Sequence, residues 1–252
     1  MMVPSATTLQ QAQRALAIAR KDIRIYYSKG PVVIFGVLFP VFLFLSFTIG
    51  RDVSVDFMIP GLLGMILFFT ATAISPIVAP WEAQARTLER LMSCPVRIET
   101  IILGDILASF AFGLFISLVP VILGLALGIT VSNPFIFAAA IIVAALCFSS
   151  LGNVFSIPPT NQPATVNMIA SVIKFPVVFI SGIFISLDEL PSWGQVIAYI
   201  SPLTYFTDIA RNSIQGQGHL PIAIDLLALL AFTAIFLLVA MKLHQRTMPR
   251  RI

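Results

Sequence analysis

The chain is 252 residues long, 58% of its residues are apolar, and only 10% are charged. A soluble domain carries about 25% charged residues, so this composition excludes an ordinary soluble protein and indicates helices that pack together in a membrane. Basic residues at the cytoplasmic face of a membrane account for the formal net charge of +4, and nucleic acid is not expected as a partner.

Six apolar runs are each long enough to cross a bilayer, because a spanning helix needs about 20 mostly apolar residues. Helices satisfy their own backbone hydrogen bonds in lipid, so the predicted fold class is an all-α membrane protein with six transmembrane helices. The short connections leave no room for a separate soluble domain, and we predict a single domain over residues 1–252. The predicted spans cover 31–50, 57–79, 106–131, 135–157, 166–187 and 222–242.

The distribution of basic residues predicts which side of the membrane each loop occupies. Of the 15 Lys and Arg residues, all but Arg51 and Arg211 fall on one side of the predicted topology. Lys and Arg concentrate in cytoplasmic loops, so both termini are predicted to be cytoplasmic, as an even number of spans requires. The expected location is the cytoplasmic membrane, which the chain crosses several times.

Residues 7–27 precede the first span and are predicted to form an amphipathic helix. Leu9, Leu16 and Ile23 recur at helical spacing on one face, and basic residues such as Arg14 gather on the opposite face. Such a helix lies in the membrane interface with its basic groups toward anionic headgroups. The alternative is an ordinary basic flank of the first span that happens to be helical.

Residues 82–95 lie in the longest predicted cytoplasmic loop and have helical character. Leu88 belongs to an apolar stripe, and Glu82 and Arg86 are spaced as a stabilising opposite-charge pair. Pro95 ends the helix, because the residue before a proline is pushed out of the helical region. The pattern fits two roles equally well: contact with a cytoplasmic partner, or packing on the membrane surface.

Residues 188–220 separate the fifth and sixth spans on the outer side and contain many apolar residues. A helix is predicted directly after Pro191, with a break at Ser201 and Pro202 and a second helix beyond it. Irregular backbone exposed to lipid is not tolerated at depth, so this segment is expected to be covered by protein or to lie near the interface.

The order and spacing of these motifs resemble the membrane subunit of an ABC-2 type transporter. In that family the loop after the second span has a Thr-Leu-Glu core followed by Pro-Val, and here Thr87, Leu88 and Glu89 precede Pro95. The resemblance covers essentially the whole chain. Its second motif lies at the outer side and comprises Ser181, Gly182, Pro191, Trp193, Pro202 and Tyr205.

The chain departs from the family pattern just before the Thr-Leu-Glu core. Arg86 stands where the family has a glycine, and Ala83 and Gln84 replace a second charged pair. This departure weakens the case for individual salt bridges with a partner, but it leaves the predicted loop helix in place.

The resemblance implies an exporter in which two permease copies pair with two cytoplasmic ATP-binding subunits, and those subunits bind ATP and magnesium. The loop helix would sit in a cleft of the ATPase, and spans one, two and five would border the route of a small amphipathic compound, drug, lipid or glycan. Membrane lipid is a further partner, and the outer-side motif would form the exit gate. By resemblance, the residues that couple this chain to the ATPase are Glu82, Arg86, Thr87, Leu88, Glu89, Leu91, Met92 and Pro95.

The sequence offers little for any other chemistry. It has no Gly-x-x-x-x-Gly-Lys-Ser/Thr loop, and both histidines, His219 and His244, lie outside the predicted spans, so no catalytic, cofactor or metal site is predicted. The alternative function is a self-contained secondary carrier or channel, for which Lys174 is the ionisable candidate. We expect Lys174 instead to extend to the cytoplasmic interface. Gly124 and Gly128 predict a helix packing face.

Overall fold

The computed structural model describes residues 8–27, 30, 34–50, 54–216 and 218–251. All regular structure in these residues is helical, which confirms the all-α class for the described part of the chain. Helical turns of other pitch occupy Ile23–Tyr27, Ile34–Leu38, Leu187–Glu189 and Met248–Arg251. The α-helices are α1 (Thr8–Asp22), α2 (Phe39–Thr48), α3 (Val55–Ala71), α4 (Ser75–Gln84), α5 (Thr87–Ser93), α6 (Ile98–Ala126), α7 (Pro134–Phe155), α8 (Pro163–Ile180), α9 (Ser192–Ala198), α10 (Pro202–Gln215) and α11 (Ile222–Thr247).

Within the described residues, five helical stretches are long and apolar enough to cross a membrane. The first stretch joins α3 and α4, and the other four are α6, α7, α8 and α11. The predicted first span, 31–50, contains a shorter apolar helix over Gly36–Phe47, and residues 31–33 lie outside the described part of the chain. The described chain therefore has five long apolar helices and one short one.

The third span differs from its predicted limits of 106–131. α6 begins at Ile98, so Asp105, which the sequence placed in a polar loop, lies two turns inside the helix and is buried. Hydropathy excluded these turns because of Glu99 and Asp105, yet other parts of the same chain cover Asp105. The helix ends before Gly128, whose φ of +86° lies in the left-handed region that stops a helix.

Gly124 and Gly128 do not form one packing face. A Cβ atom on Gly124 would lie 2.9 Å from Cγ2 of Ile59, so this glycine permits close contact between α6 and α3. No described atom lies within 4 Å of a Cβ at Gly128. The predicted pair is therefore wrong at Gly128, because that residue ends the helix rather than packing against another one.

The centre of the bundle is an apolar core shared by α3, α7 and α10. Phe68, Phe148 and Phe206, one from each helix, are fully buried. Their rings meet edge to face, with centroid distances of 5.2 Å for Phe68–Phe148 and 6.2 Å for Phe148–Phe206, an arrangement that the ring quadrupole favours. α10 therefore fills the interior of the bundle rather than lying on its surface.

The turn between α9 and α10 lies beside the middle of two long helices. Ser201 and Pro202 border a small cavity together with Ile173 and Phe236, which lie near the midpoints of α8 and α11. Ser201 Oγ accepts a hydrogen bond from the Leu203 N–H at 3.2 Å and so caps α10, whose first residue is proline. Ser201 and Pro202 are buried, so the protein covers this part of the turn.

α1 packs along α6, and its two apolar sides have different surroundings. A Cβ on Gly104 of α6 would lie 2.6 Å from Cγ2 of Ile18, so this glycine admits the buried isoleucine. Leu9 and Leu16 are instead 70% and 61% exposed. The bundle thus holds one side of α1, and the exposed apolar side is available to the membrane interface, where its placement stays a prediction.

Segments near the two ends of the chain lie at the same end of the bundle. Met248, which follows α11, joins Ile18 of α1 and Leu88 of α5 in one apolar cluster. Arg251 donates a hydrogen bond to the Pro158 carbonyl at 2.8 Å, which places it at the turn between α7 and α8. We call this the coupling end, because it also carries α5.

Candidate functional site

The predicted coupling helix over 82–95 is divided in two. α4 ends at Gln84, and Arg86 has a φ of 53°, so the chain turns before α5 begins. Thr87 Oγ1 donates a hydrogen bond to the Glu82 carbonyl at 3.2 Å and stabilises this turn. The prediction of one continuous helix is wrong at Arg86, because left-handed backbone cannot continue a right-handed helix.

The predicted pair between Glu82 and Arg86 is replaced by a polar cluster under α1. Glu82 is buried and forms an ion pair with Lys21, whose Nζ also lies 3.0 Å from Oδ1 of Asp22. Burial alone would lower the pKa of Lys21, but the carboxylates of Asp22 and Glu82 outweigh it and raise that pKa, so the ammonium stays charged. Asp105 of α6 is also buried and lies near Asp22, so the cluster joins α1 to α4 and α6.

Leu88 faces the interior of the bundle rather than a partner protein. Its side chain is fully buried beside Ile18 and Met248. Leu91 and Met92 are partly buried and pack against the same cluster. The prediction that Leu88 contacts an ATPase directly is therefore wrong, because a side chain without exposed surface cannot reach another protein. Its role is to fix α5 to the bundle.

The opposite face of α5 is polar and exposed. It carries charges of both signs, and the carbonyl of Pro95 accepts a hydrogen bond from Arg14 Nη1, which ties the end of the segment to α1. A docked protein that moved α5 would therefore also move α1, α4 and α6. The exposed residues of this segment are Arg86, Thr87, Glu89, Arg90, Ser93, Cys94 and Pro95.

The second span is broken between α3 and α4, and the sequence contains the cause. Pro76 has no N–H, so the Thr72 carbonyl four residues earlier lacks its helical donor. Lys174 of α8 supplies a replacement, because its Nζ donates a hydrogen bond to this carbonyl at 2.7 Å. The Lys174 side chain is only 4% exposed, so its predicted extension to the membrane interface is wrong.

A cavity of about 360 Å³ lies between the first, second and fifth spans. Phe39 lines it from the first span, Phe69 and Trp81 from the second, and Asn167 and Lys174 from α8. Trp81 lies toward the coupling end, so the cavity extends from that end into the bundle. Its volume and its mostly apolar lining fall in the range of small-molecule sites. We call this space the inner cavity.

The residues predicted for the outer gate differ in exposure, and three of them are buried. Ser181 and Gly182 follow the end of α8, and Gly182 has a φ of +79°, which the chain needs to turn toward Leu187. Pro202 is buried at the start of α10. These residues hold the outer segment against the bundle.

The other three gate residues lie closer to the surface. The hydroxyl of Tyr205 donates a hydrogen bond to the Tyr199 carbonyl at 2.7 Å, which links α10 to the end of α9. Pro191 is exposed, and Trp193 is 68% exposed. The shared role of the six residues as a gate stays a proposal.

The sequence patterns did not predict that Asp22 and Asp105 lie together in the interior. One weak signal was available, because Asp22 and Asp105 each lie four residues after a buried isoleucine, Ile18 and Ile101 respectively. Residues four apart share a helix face, so each carboxylate lies on the face that packs inward. The pairing of the two faces follows only from the docking of α1 on α6.

The family model described as ABC-2 type transporter matches residues 13–214 of this chain. The chain is 24% identical over 191 residues to the inner membrane transport permease YadH of Escherichia coli strain K12, covering 76% of this chain and 75% of that relative. It is 20% identical over 225 residues to the daunorubicin resistance ABC transporter permease protein DrrB1 of Streptomyces coeruleorubidus, covering 83% and 78%. It is also 24% identical over 175 residues to the probable multidrug ABC transporter permease YbhR of Escherichia coli strain K12, covering 66% of this chain and 45% of that relative.

Proposed function

We propose, from the premise that this chain belongs to the ABC-2 type transporter family, that it is the permease half of an ATP-driven exporter. The chain is a multi-pass protein of the cytoplasmic membrane and a permease of an ABC transporter. Members of the family are the transport subunit rather than the catalytic one, and the family implies an ABC ATP-binding partner. The direction of transport, the substrate and the composition of the complex belong to the proposal.

The observation that carries the proposal is the geometry of α5. Leu88 fixes this short helix to the bundle, and Glu89 and Arg90 remain on its open face. A helix that is anchored to the bundle and has an exposed polar face suits a docking contact. Motion of a docked partner would pass directly to the spans, because no flexible loop lies between them to absorb it. We assign this face to the ATP-binding subunit, with α5 and both termini in the cytoplasm.

The proposed complex contains two copies of this chain and two ATP-binding subunits. ATP and magnesium are bound by the partner, and this chain binds no cofactor. Large exposed apolar residues on α8, including Met168 and Val172, support burial of that helix against a second copy or lipid. The names of the relatives, for multidrug transport and daunorubicin resistance, support a drug-sized amphipathic substrate.

Purification from native membranes in mild detergent, followed by quantitative mass spectrometry, tests the composition of the complex. We expect a nucleotide-binding protein with phosphate-loop and signature motifs at one copy per permease. A homo-oligomer without any ATPase, whose transport in vesicles continues without ATP, would overturn the proposal in favour of a secondary carrier or channel.

Charge reversal on α5 tests the docking face itself. Glu89→Lys together with Arg90→Glu is expected to reduce recovery of the ATPase with the permease while membrane insertion is unchanged. Glu189→Lys, an exposed charge reversal in the outer segment, is the matched control and should recover the ATPase as the unaltered chain does. Equal recovery for both variants would remove α5 from the interface.

A further inference from the structure

The amine of Lys174 is buried, and when it is protonated the described protein leaves its positive charge largely uncompensated. One of its three N–H groups donates to the Thr72 carbonyl, and Nζ lies 5.9 Å from the centroid of the Phe155 ring. No carboxylate of the described residues forms an ion pair with it, and none lines the inner cavity. Two N–H groups and most of the positive charge therefore lack a protein partner there.

Such an arrangement is costly unless something else pairs with the charge. Removing an ammonium from water costs several kcal/mol, and one neutral carbonyl recovers only part of that. The other walls of the inner cavity cannot help, because Phe39, Phe69, Ile77, Trp81 and Phe175 supply apolar and aromatic surface.

The polar groups of the cavity lie along one side of α8. Asn167, Ser171 and Lys174 follow at spacings of four and three residues, which places them in one row on the helix. All three line the cavity, while the facing walls are aromatic. A ligand that fills this space thus meets a polar row ending in a positive charge on one side and ring faces on the other.

We propose that the inner cavity binds an amphipathic anion, a molecule with an aromatic or aliphatic body and one carboxylate or sulfonate that pairs with Lys174. The inference deepens the proposed function and rests on it, since it names the substrate class of the same exporter. The apolar body lies against Phe39, Phe69 and Trp81, and the anion takes the free N–H groups of the ammonium. A cationic amphiphile is excluded from this position by the like charge.

Two fluorescent probes distinguish the contribution of the anionic group to binding from that of the aromatic body. 1-Anilinonaphthalene-8-sulfonate and N-phenyl-1-naphthylamine share one aromatic frame, and only the first carries a sulfonate. The chain has two tryptophans, so Trp193→Phe leaves Trp81, which lines the cavity, as the only tryptophan of this chain. In the complete complex, reconstituted in lipid nanodiscs, the energy transfer that is lost on further replacement Trp81→Phe reports probe close to Trp81. The dependence of that transfer on substitutions of Lys174 separates bound probe from probe dissolved in lipid.

Lys174→Gln is the decisive substitution, because it removes the charge but keeps an N–H donor for the Thr72 carbonyl. We expect it to weaken sulfonate binding by about tenfold or more, since a charge-assisted hydrogen bond contributes roughly 1.5–3 kcal/mol, and to change binding of the neutral probe less than about twofold. Lys174→Arg should retain sulfonate binding. Lys242→Gln, the same change at an exposed lysine, is the matched control and should bind both probes normally.

The proposal is overturned if the Lys174→Gln variant binds the sulfonate probe as tightly as the unaltered chain, or if the substitution weakens binding of both probes equally. Should that variant fail to fold, Ser171→Leu narrows the cavity and leaves Lys174 in place. This substitution is expected to weaken binding of both probes, and unchanged binding would show that the inner cavity is not the binding site.

A transport measurement distinguishes failure of this proposal from failure of the proposed function. ATP-dependent accumulation of the sulfonate in inside-out vesicles is expected for the unaltered complex and lost in Lys174→Gln. If ATP drives no transport of any probe and no ATPase co-purifies, the exporter assignment fails. If ATP drives transport of the neutral probe but not of the sulfonate, the exporter stands and the anion specificity is wrong.

Discussion

Arg86 shows how one residue decides the shape of the coupling segment. Its φ of 53° is the one positive value found at a non-glycine residue within the described chain. A left-handed backbone conformation costs an L-residue roughly 1–2 kcal/mol. The ABC-2 family pattern has glycine at this position. The chain nevertheless adopts this turn, because the turn allows Leu88, two residues later, to be buried in the apolar cluster under α5.

Arg86→Gly is therefore expected to stabilise the permease by about 1 kcal/mol, because glycine adopts a positive φ without a steric penalty. The matched control is Arg90→Gly, which places glycine inside α5 and should destabilise the chain by about 1 kcal/mol. Thermal unfolding in mild detergent, followed by tryptophan fluorescence, measures both. Loss of stability in both variants would show that Arg86 is not strained.

The buried position of Leu88 changes what its substitution should do. The family resemblance implies that Leu88→Asp or Leu91→Asp uncouples ATP hydrolysis from transport while the protein stays in the membrane. Because the side chain is fully buried, we expect an aspartate there to unfold the segment, and even Leu88→Ala to cost about 2–5 kcal/mol. Glu89→Ala, at the exposed neighbour, should stay within about 0.5 kcal/mol of the unaltered chain. Unfolding curves of the two alanine variants check this, and equal stability would contradict the assigned burial.

At the scale of elements, α1 is held to the bundle by a side that hydrophobic periodicity did not identify. Periodicity identifies Leu9 and Leu16 as its apolar face, yet both remain exposed, and the helix is held through Ile18 and a polar cluster. Small residues are what allow this, since Gly104 of α6 lets the two backbones approach. α1 is thereby connected to α4, α5 and α6 at once.

A double-mutant cycle tests this docking. Gly104→Ala is expected to destabilise the permease by about 1–3 kcal/mol, because the new methyl group overlaps Ile18. In the Ile18→Ala background the same change should cost much less, since its main obstacle is gone, although the Ala15 carbonyl 3.1 Å from the new Cβ remains. The free energies of unfolding of the unaltered chain, the two single variants and the double variant give the coupling free energy between the two residues. Strict additivity would show that the two residues do not touch.

At the scale of the whole molecule, the bundle has two unlike ends. The coupling end gathers α1, α5 and the C-terminal turn through the Leu88 cluster. The other end carries α9 and α10, and α10 extends inward to Phe148. The inner cavity opens from the coupling end, so a route through the protein would pass from Trp81 toward the outer segment.

Two chains that each carry one exposed cysteine test which end faces the cytoplasm. The native Cys94 is exposed, whereas Cys147 is buried, so a membrane-impermeant maleimide is expected to label Cys94 in inside-out vesicles only. Ser192→Cys in a Cys94→Ser background places the thiol on the exposed start of α9 and should be labelled only in right-side-out vesicles. The reverse pattern would invert the proposed orientation. Protection of Cys94 when the ATPase is bound would add support for the docking face.

The sequence by itself determined the class of this protein, its long apolar helices, and the motifs that mark the segment around α5. These properties follow from composition, span length and local punctuation such as Pro95 and Pro202, which act over a few residues of chain. Only the tertiary structure decided which side chains face inward. Leu88, Asp105 and Lys174 were each predicted to be open to water or to a partner, and each is buried, because its surroundings come from helices distant in sequence that local patterning does not describe.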